Sequence, residues 1–180
     1  MALRSKMTAA ILCPGPSLVR SVPAPADLTI AVNRAIAFSS ADVWAAGDIP
    51  MLCEDRPNII GRPELFTAAN TAAYLRDHGP AWRGKVTEFE SLFDYLNSSN
   101  LSWTLFTFTA AIVFAAHAGA KLIEIFGCDW TGQSDYDGWA KAGNRTDERW
   151  KLEREIYARL TDSLAARGIE VKRIGDRVNQ

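Results

Sequence analysis

Four short, largely apolar runs, each followed directly by turn-forming residues, constrain the fold of this 180-residue chain most strongly. They cover residues 9–13, 28–32, 42–46 and 121–126, and they end at Pro14-Gly15, Asn33, Gly47-Asp48 and Gly127. Apolar residues at consecutive positions are typical of strands buried on both faces, as the strands of parallel sheets are. Helical patterns at 104–118 and 147–167 alternate with the later strands. The alternation predicts an α/β fold with a mostly parallel sheet and helices on both faces.

Weaker patterns predict the remaining elements. We expect an edge strand at 85–89 and a last strand at 169–174. Residues 51–84 are irregular and contain several prolines, yet the near-helical spacing of their apolar residues predicts a helix over 64–77.

The pattern at 147–167 is the clearest amphipathic helix in the chain. Its predicted buried face, at steps of four residues, consists of Leu152, Ile156, Leu160 and Leu164. Thr146 or Asn144 is expected to cap its start. The preceding polar segment, 131–146, is rich in glycine, aspartate and aromatic residues, and we interpret it as a lid-like loop.

Composition and charge exclude several classes of protein. Twenty Lys and Arg residues against 21 Asp and Glu residues give a formal charge of −1, which argues against a general nucleic-acid-binding or anionic-membrane surface. The longest apolar stretch, 105–118, has 14 residues, fewer than the roughly 20 that span a bilayer. The three cysteines show no CxxC spacing and indicate a reducing compartment. We therefore expect a single cytoplasmic domain over 1–180, without a membrane span.

The predicted strand ends carry the candidate functional residues, because ligands of open parallel sheets bind at the carboxyl ends of strands. Gly15 and Ser17 could present N–H groups and a hydroxyl to a phosphate, or form a plain Pro-Gly turn. Asp48 and Asp129 could hold Mg²⁺ or a ribose, supply a base, or serve only the turns. Asn33 could contact a base or a phosphate, or act as a turn former.

The histidines and tryptophans give less specific signals. His78 and His117 are the two histidines, and their positions predict neither a Ser-His-Asp triad nor a zinc site. His117 lies in an apolar helix pattern and is expected in the core. Trp130, Trp139 and Trp150 flank or lie in the lid-like loop, where they could stack on a sugar or base, or pack over the core.

Together these motifs resemble a known group of proteins. Residues 11–18 read ILCPGPSL, similar to the strand and G-x-GPSL turn that opens the family 42 sialyltransferases. The same turn opens the related 6-hydroxymethylpterin diphosphokinase-like proteins and motility-associated flagellin glycosyltransferases. Three further features follow in the same order, namely Ala31-Val32-Asn33, Gly47-Asp48 and the segment GAKLIEIFGCDW at 119–130. The resemblance covers residues 9–48 and 104–131.

The resemblance implies a Rossmann-like nucleotide-binding fold, with the nucleotide lying across the strand ends. By position, the residues implied to face the phosphates are Gly15, Pro16 and Ser17. Asn33 would contact the nucleotide, and Thr107 would lie near the phosphate or sugar. Gly127 and Asp129 would line the base or ribose pocket. In the sialyltransferases the donor would be a CMP-sugar, and in the diphosphokinase-like group it would be ATP with Mg²⁺, for which Asp48 would be a metal ligand.

Two departures from the family pattern bear on mechanism. The sialyltransferases use a histidine base after the Asp-aromatic pair, and this chain has no histidine after His117. The substitutes available in the lid-like loop are Asp135, Tyr136 and Asp137. In addition, Phe108 stands where a small residue usually follows the hydroxyl of Thr107, and it would crowd a phosphate.

Three functions remain as alternatives. The favoured hypothesis is a nucleotide-dependent transferase, sialyltransferase-like, that moves a sugar from a nucleotide-sugar donor to a small-molecule or glycan acceptor, with Asp129 and Asp48 as catalytic residues. The second is an ATP- and Mg²⁺-dependent pyrophosphokinase. The third is a nucleotide-binding module without catalysis. The sequence leaves the oligomeric state open, a homo-oligomer included.

Overall fold

A computed structural model describes most of the chain. The residues it describes are 6–21, 23, 25–49, 52, 59, 63–78, 82, 84–96, 102–131, 134–138 and 145–175.

The described residues form a seven-stranded sheet in which every pair of neighbouring strands is parallel. The strands are β1 Thr8–Leu12, β2 Leu28–Val32, β3 Val43–Ala45, β4 Glu64–Thr67, β5 Val86–Glu88, β6 Leu122–Phe126 and β7 Glu170–Ile174. Their order in the sheet is β5-β4-β3-β2-β1-β6-β7. The chain therefore builds outward from β1 to β5 and then returns to the other side of β1, so that the strand order reverses between β1 and β6.

The sheet is covered on both faces, as the sequence predicts. Alternate residues of β1 separate the two cores: Ala9 and Ile11 join one, and Ala10 and Leu12 join the other. The first core includes the apolar residues of α2, Thr107–His117, and of α3, Asp147–Ala165. The second includes residues of the short 3-10 helices that follow β1 and β2, Pro16–Arg20 and Asn33–Ala37. Parallel strands between two apolar layers give a Rossmann-like α/β fold.

The predicted helix over 64–77 is wrong in its first part. Residues Glu64–Thr67 form β4, which pairs with β3 and β5, and α1 begins only at Ala69 and ends at His78. Leu65 and Phe66 are fully buried on opposite faces of the sheet. A strand of four residues offers too little pattern to be distinguished from the first turn of a helix.

Two features of α2 differ from the expectation. The helix starts at Thr107 instead of 104, because a 3-10 turn at Trp103–Leu105 precedes it. The Thr109 hydroxyl donates to the Trp103 carbonyl at 2.5 Å and lies 2.7 Å from the Phe106 carbonyl, which stabilises this entry. His117, expected in the core, is the last residue of α2 and is exposed, with its ring against Tyr95. Gly119 follows with a φ of 104° and ends the turn.

The start of α3 confirms the predicted cap and corrects the predicted face. The Thr146 hydroxyl accepts a hydrogen bond from the Arg149 N–H at 3.2 Å, which is the N-cap interaction. Leu152 is 43% exposed, whereas Glu153, one residue later, is buried with Ile156, Leu160 and Leu164. None of the helices in the described part of the chain is long and apolar enough to cross a membrane.

Candidate functional site

A crevice opens where the strand order reverses, at the carboxyl ends of β1 and β6. This is the position at which open α/β sheets bind ligands. The crevice holds about 820 Å³, counting the space that is open to solvent. Its lining residues are Cys13, Pro14, Gly15, Asn33, Asp48, Phe108, Gly127, Cys128, Asp129, Trp130, Thr131, Asp135, Arg145, Arg149, Trp150 and Glu153.

Two glycines let the backbones after β1 and β6 touch at the floor of the crevice. The Gly15 N–H donates to the Gly127 carbonyl at 2.8 Å. A Cβ atom on Gly15 would overlap that carbonyl, and one on Gly127 would overlap the Cys13 carbonyl. Gly127 also has a φ of 68°, in the left-handed region. Both positions therefore require glycine for a packing reason, whether or not a ligand binds above them.

Ser17 and Asp129, predicted as separate contacts to a nucleotide, are bonded to each other. The Ser17 N–H donates to Asp129 Oδ2 at 2.8 Å, and the Ser17 hydroxyl donates to Asp129 Oδ1. Ser17 is only 2% exposed. The carboxylate thus occupies the start of the 3-10 helix at Pro16–Arg20, the place where a phosphate was predicted. In this conformation Asp129 fixes the loop after β1 while still lining the crevice.

Asn33 directly follows β2 and lines the crevice. Its φ of 49° lies in the left-handed region, which asparagine adopts more readily than most residues. Its backbone carbonyl accepts from the Trp44 indole N–H at 2.9 Å, which holds the turn. The side-chain oxygen Oδ1 is buried and has no hydrogen-bond partner in the part of the chain that the structure describes. A buried acceptor without a partner is costly, and a ligand donor would satisfy it.

The described part of the predicted lid is attached to the strand ends. The Tyr136 N–H donates to the Pro14 carbonyl at 2.7 Å. Asp135, which is 4% exposed, forms an ion pair with Arg145, and its Oδ2 lies 3.8 Å from Arg34 Nε. Burial raises the pKa of the Asp135 carboxyl, and Arg145 opposes that rise. Residues 132–133 and 139–144, with Trp139, lie outside the described residues.

Glu153 is a second buried carboxylate that the sequence analysis missed. It is 5% exposed, and its Oε1 accepts from Arg149 Nε at 2.8 Å, one turn earlier in α3. Burial raises the pKa of the Glu153 carboxyl, while Arg149 and Arg145 lower it. A signal was present in the sequence, since Glu153 lies three residues before Ile156 on the apolar stripe of α3.

Two thiols face each other on the same floor. Cys13 follows β1 and Cys128 follows Gly127, and both are buried and free. The hydrogen bond that the Cys13 thiol donates to Cys128, burial, and the nearby Cys128, Glu153 and Asp129 side chains together raise the pKa of the Cys13 thiol. The Cys13 thiol is therefore held as a neutral, poorly nucleophilic group.

The structure brings some of the predicted site residues together and leaves others apart. Gly15, Asn33, Asp48, Gly127 and Asp129 line one crevice, whereas Pro16, Ser17 and Thr107 are not among its lining residues. Asp48 is exposed at the rim. The crevice is also lined by side chains that the sequence analysis assigned to no site, namely Arg145, Arg149 and Glu153. Arg145 lies just before the cap of α3, and the other two lie near the start of that helix.

The same residues do not suit a divalent cation. Both oxygens of Asp129 already accept hydrogen bonds from Ser17, and Asp48 is exposed. Within the described ranges, no three histidine, cysteine or acidic side chains lie together as metal ligands. The proposed role of Asp48 as a metal ligand therefore has no second protein ligand beside it in the part of the chain that is described.

Neither a family model nor a curated protein matches the chain. Among solved structures, the chain is similar to the sialyltransferase CstII from Campylobacter jejuni, determined in complex with the substrate analogue CMP-3FNeuAc. The sequence identity is 14% and the TM-score is 0.48, and the match covers 92% of this chain and 85% of that one. A likeness of this size carries no argument about function.

Proposed function

We propose that this chain is a nucleotide-dependent transferase that takes a sugar from a nucleotide-sugar donor bound in the crevice at the β1–β6 switch point. The observation that carries the proposal is the Oδ1 atom of Asn33 at the carboxyl end of β2, which is buried and has no hydrogen-bond partner among the described residues. An exocyclic amino group or a ribose hydroxyl would donate the missing hydrogen bond. On this ground we propose that Asn33 contacts the nucleotide.

The charges around the crevice favour a donor with few negative charges over ATP. Among the described lining residues there are four carboxylates, on Asp48, Asp129, Asp135 and Glu153, and two guanidinium groups, on Arg145 and Arg149. Each of the two arginines is already paired with one of those carboxylates. With more carboxylates than guanidinium groups among these residues, a nucleotide-sugar, which carries fewer charges, would be bound more readily than a polyanion with four charges. This supports sugar transfer over the pyrophosphokinase alternative.

The aromatic lining supplies apolar surface for a base or a sugar ring. Trp130 packs edge-on against Tyr157 with ring centroids 5.1 Å apart, and its buried indole nitrogen has no hydrogen-bond partner within the described ranges. Phe108, which the sequence placed in the way of a phosphate, is buried beneath Trp130 and faces the crevice. Trp150 also lines the crevice and lies beside Arg145. A base or sugar placed against these rings would bury apolar surface.

We assign the other predicted residues roles within this proposal. Gly15 and Gly127 allow the donor to approach the backbone closely, and Asp129 holds the loop through Ser17 and lines the ribose pocket. Asp48 at the rim would contact the small-molecule or glycan acceptor. Pro16 and Thr107 would act by shaping the turn after β1 and the start of α2.

A thermal-shift panel tests the class of ligand first. CMP, CDP, UDP, GDP and ATP are each added with and without Mg²⁺, and a ligand at 100 times its Kd stabilises the fold by about 2.7 kcal/mol. We expect a metal-independent shift with at least one nucleoside mono- or diphosphate. A shift with ATP and Mg²⁺ alone would favour the pyrophosphokinase, and no shift with any of them would contradict the proposal.

The Asn33→Gly variant tests the site itself. Glycine adopts the positive φ of Asn33 without strain, so the substitution removes the amide and keeps the turn. We expect the nucleotide Kd, measured by isothermal titration calorimetry, to rise about tenfold, the effect of one lost hydrogen bond. The Asn33→Asp variant keeps an oxygen at this place and serves as the matched control. Equal affinity of the wild type and Asn33→Gly would remove Asn33 from the site.

A further inference from the structure

Glu153 occupies a place in α3 where the fold by itself favours an apolar residue. It continues the buried stripe of Ile156, Leu160 and Leu164, which packs on the sheet. Burying a carboxylate costs free energy even when one guanidinium accompanies it. A buried charge that opens into a crevice, at a position suited to leucine, indicates a functional reason for the carboxylate.

The other acids of the crevice are less suited to accept a proton. Both oxygens of Asp129 are engaged by Ser17. Asp135 is held between two arginines, with one oxygen toward Arg145 and the other toward Arg34. Asp48 is exposed to solvent instead of lying buried inside the crevice. Glu153 has Arg149 on Oε1 and faces the crevice beside the aromatic lining.

We infer that Glu153 is the general base of the proposed transfer and takes the place of the histidine that the chain lacks after His117. The assignment rests on the proposed function. The acceptor hydroxyl oxygen attacks the anomeric carbon of the donor, and its proton passes to a carboxylate oxygen of Glu153. The bond between the anomeric carbon and the donor phosphate oxygen breaks, and its electron pair leaves on the phosphate. Arg149 keeps Glu153 ionised until it receives the proton.

Burial moves Glu153 toward the range in which a base is effective. A general base works best when its pKa lies near the working pH, and burial raises the pKa of this carboxyl above its ordinary value. A raised pKa agrees with the buried position of Glu153 in the crevice, and it determines the expected dependence of the rate on pH. The rate should rise with pH as Glu153 loses its proton.

The test uses water as the acceptor, so that the natural acceptor is not needed. Release of nucleotide from CMP-N-acetylneuraminate, UDP-glucose and GDP-mannose is measured for the wild type, Glu153→Gln, Glu153→Asp and Glu155→Gln. Glu155 is an exposed carboxylate of the same helix and is the matched control. We expect Glu153→Gln to lower kcat at least about 100-fold while the nucleotide Kd stays unchanged.

The pH profile separates a base from a structural carboxylate. In the wild type, kcat/KM should rise with pH through the pKa of Glu153, and this limb should be absent in Glu153→Gln and partly present in Glu153→Asp. Wild-type turnover with an equally active Glu153→Gln would overturn the assignment and leave the proposed function intact. A wild type that neither binds a nucleotide nor releases one from any donor would overturn the proposed function and the assignment together.

Discussion

At the scale of single residues, the floor of the crevice depends on two positions that tolerate no side chain. Gly15 and Gly127 bring two backbone segments into hydrogen-bonding contact, at 2.8 Å from nitrogen to oxygen. The contact joins the loop after β1 to the loop after β6, which lie on the two sides of the strand reversal. The sequence reveals the glycines, and only the structure shows that each one faces the backbone of the other loop.

Replacing Gly127 by alanine should destabilise the protein by at least about 2 kcal/mol, because the new Cβ meets the Cys13 carbonyl and the φ of 68° is strained for alanine. Gly168→Ala is the matched control, since Gly168 has a φ of 71° and open space around its Cβ. Gly168→Ala should lower the free energy of unfolding by about 1 kcal/mol, because only the positive φ is unfavourable for alanine there. Urea unfolding measures both, and equal losses would show that the packing contact is unimportant.

At the scale of elements, the 3-10 helix at Pro16–Arg20 is anchored by a carboxylate from a distant strand end. Asp129 follows β6 and binds both the N–H and the hydroxyl of Ser17. The interaction is largely removed from water, since Ser17 is buried. It explains why this short helix has a fixed start although Gly15, at its N-cap, has no side chain to cap it.

A double-mutant cycle of Ser17→Ala and Asp129→Asn should give a coupling free energy of about 1–3 kcal/mol, because a buried hydrogen bond to a carboxylate is strong. Thr8 and Asp27 provide the matched control. There, too, a carboxylate accepts from a backbone N–H, at 2.7 Å, and approaches the same residue's hydroxyl at 3.1 Å, but the pair is exposed. The Thr8→Ala and Asp27→Asn cycle should give less than about 1 kcal/mol. Additive effects at Ser17 and Asp129 would contradict the anchoring role.

At the scale of the whole molecule, two buried acids link stability to pH in an unusual direction. Burial raises the pKa of both Asp135 and Glu153 in the folded state. As the pH rises past the ordinary pKa of a carboxyl, about 4, the unfolded state loses these protons first. The folded state binds more protons over this range, so each acid makes the protein less stable as the pH rises toward its folded-state pKa.

The Glu153→Gln variant should reveal this linkage. Its free energy of unfolding, relative to the wild type, should increase as the pH is raised from about 4 through the folded-state pKa of Glu153, and then level off. Urea unfolding across this pH range provides the measurement. Glu155→Gln removes an exposed carboxylate of the same helix and controls for the change in net charge. A constant difference between Glu153→Gln and the wild type would mean that Glu153 titrates alike in both states.

Elements with a strong local pattern could be predicted from the amino-acid sequence alone. β2 was predicted to its exact ends, at Leu28–Val32, and β6 to within one residue, because an apolar run closed by a turn residue is a local signal. The cap of α3 at Thr146 could also be predicted, because capping depends on a side chain within the same turn. The placement of Asn33, Asp48 and Asp129 at strand ends followed from the same runs.

How these elements assemble into a sheet and a crevice depends on tertiary contacts. The segment Glu64–Thr67 forms a strand because β3 and β5 pair with it on either side. A local sequence pattern does not indicate which strands it will pair with. The strand order, with its reversal between β1 and β6, fixes which strand ends share a crevice. Docking of α3 then turns Glu153 inward and leaves Leu152 in solvent. Periodicity is local along the chain, whereas burial is set by the surfaces that the whole fold brings together.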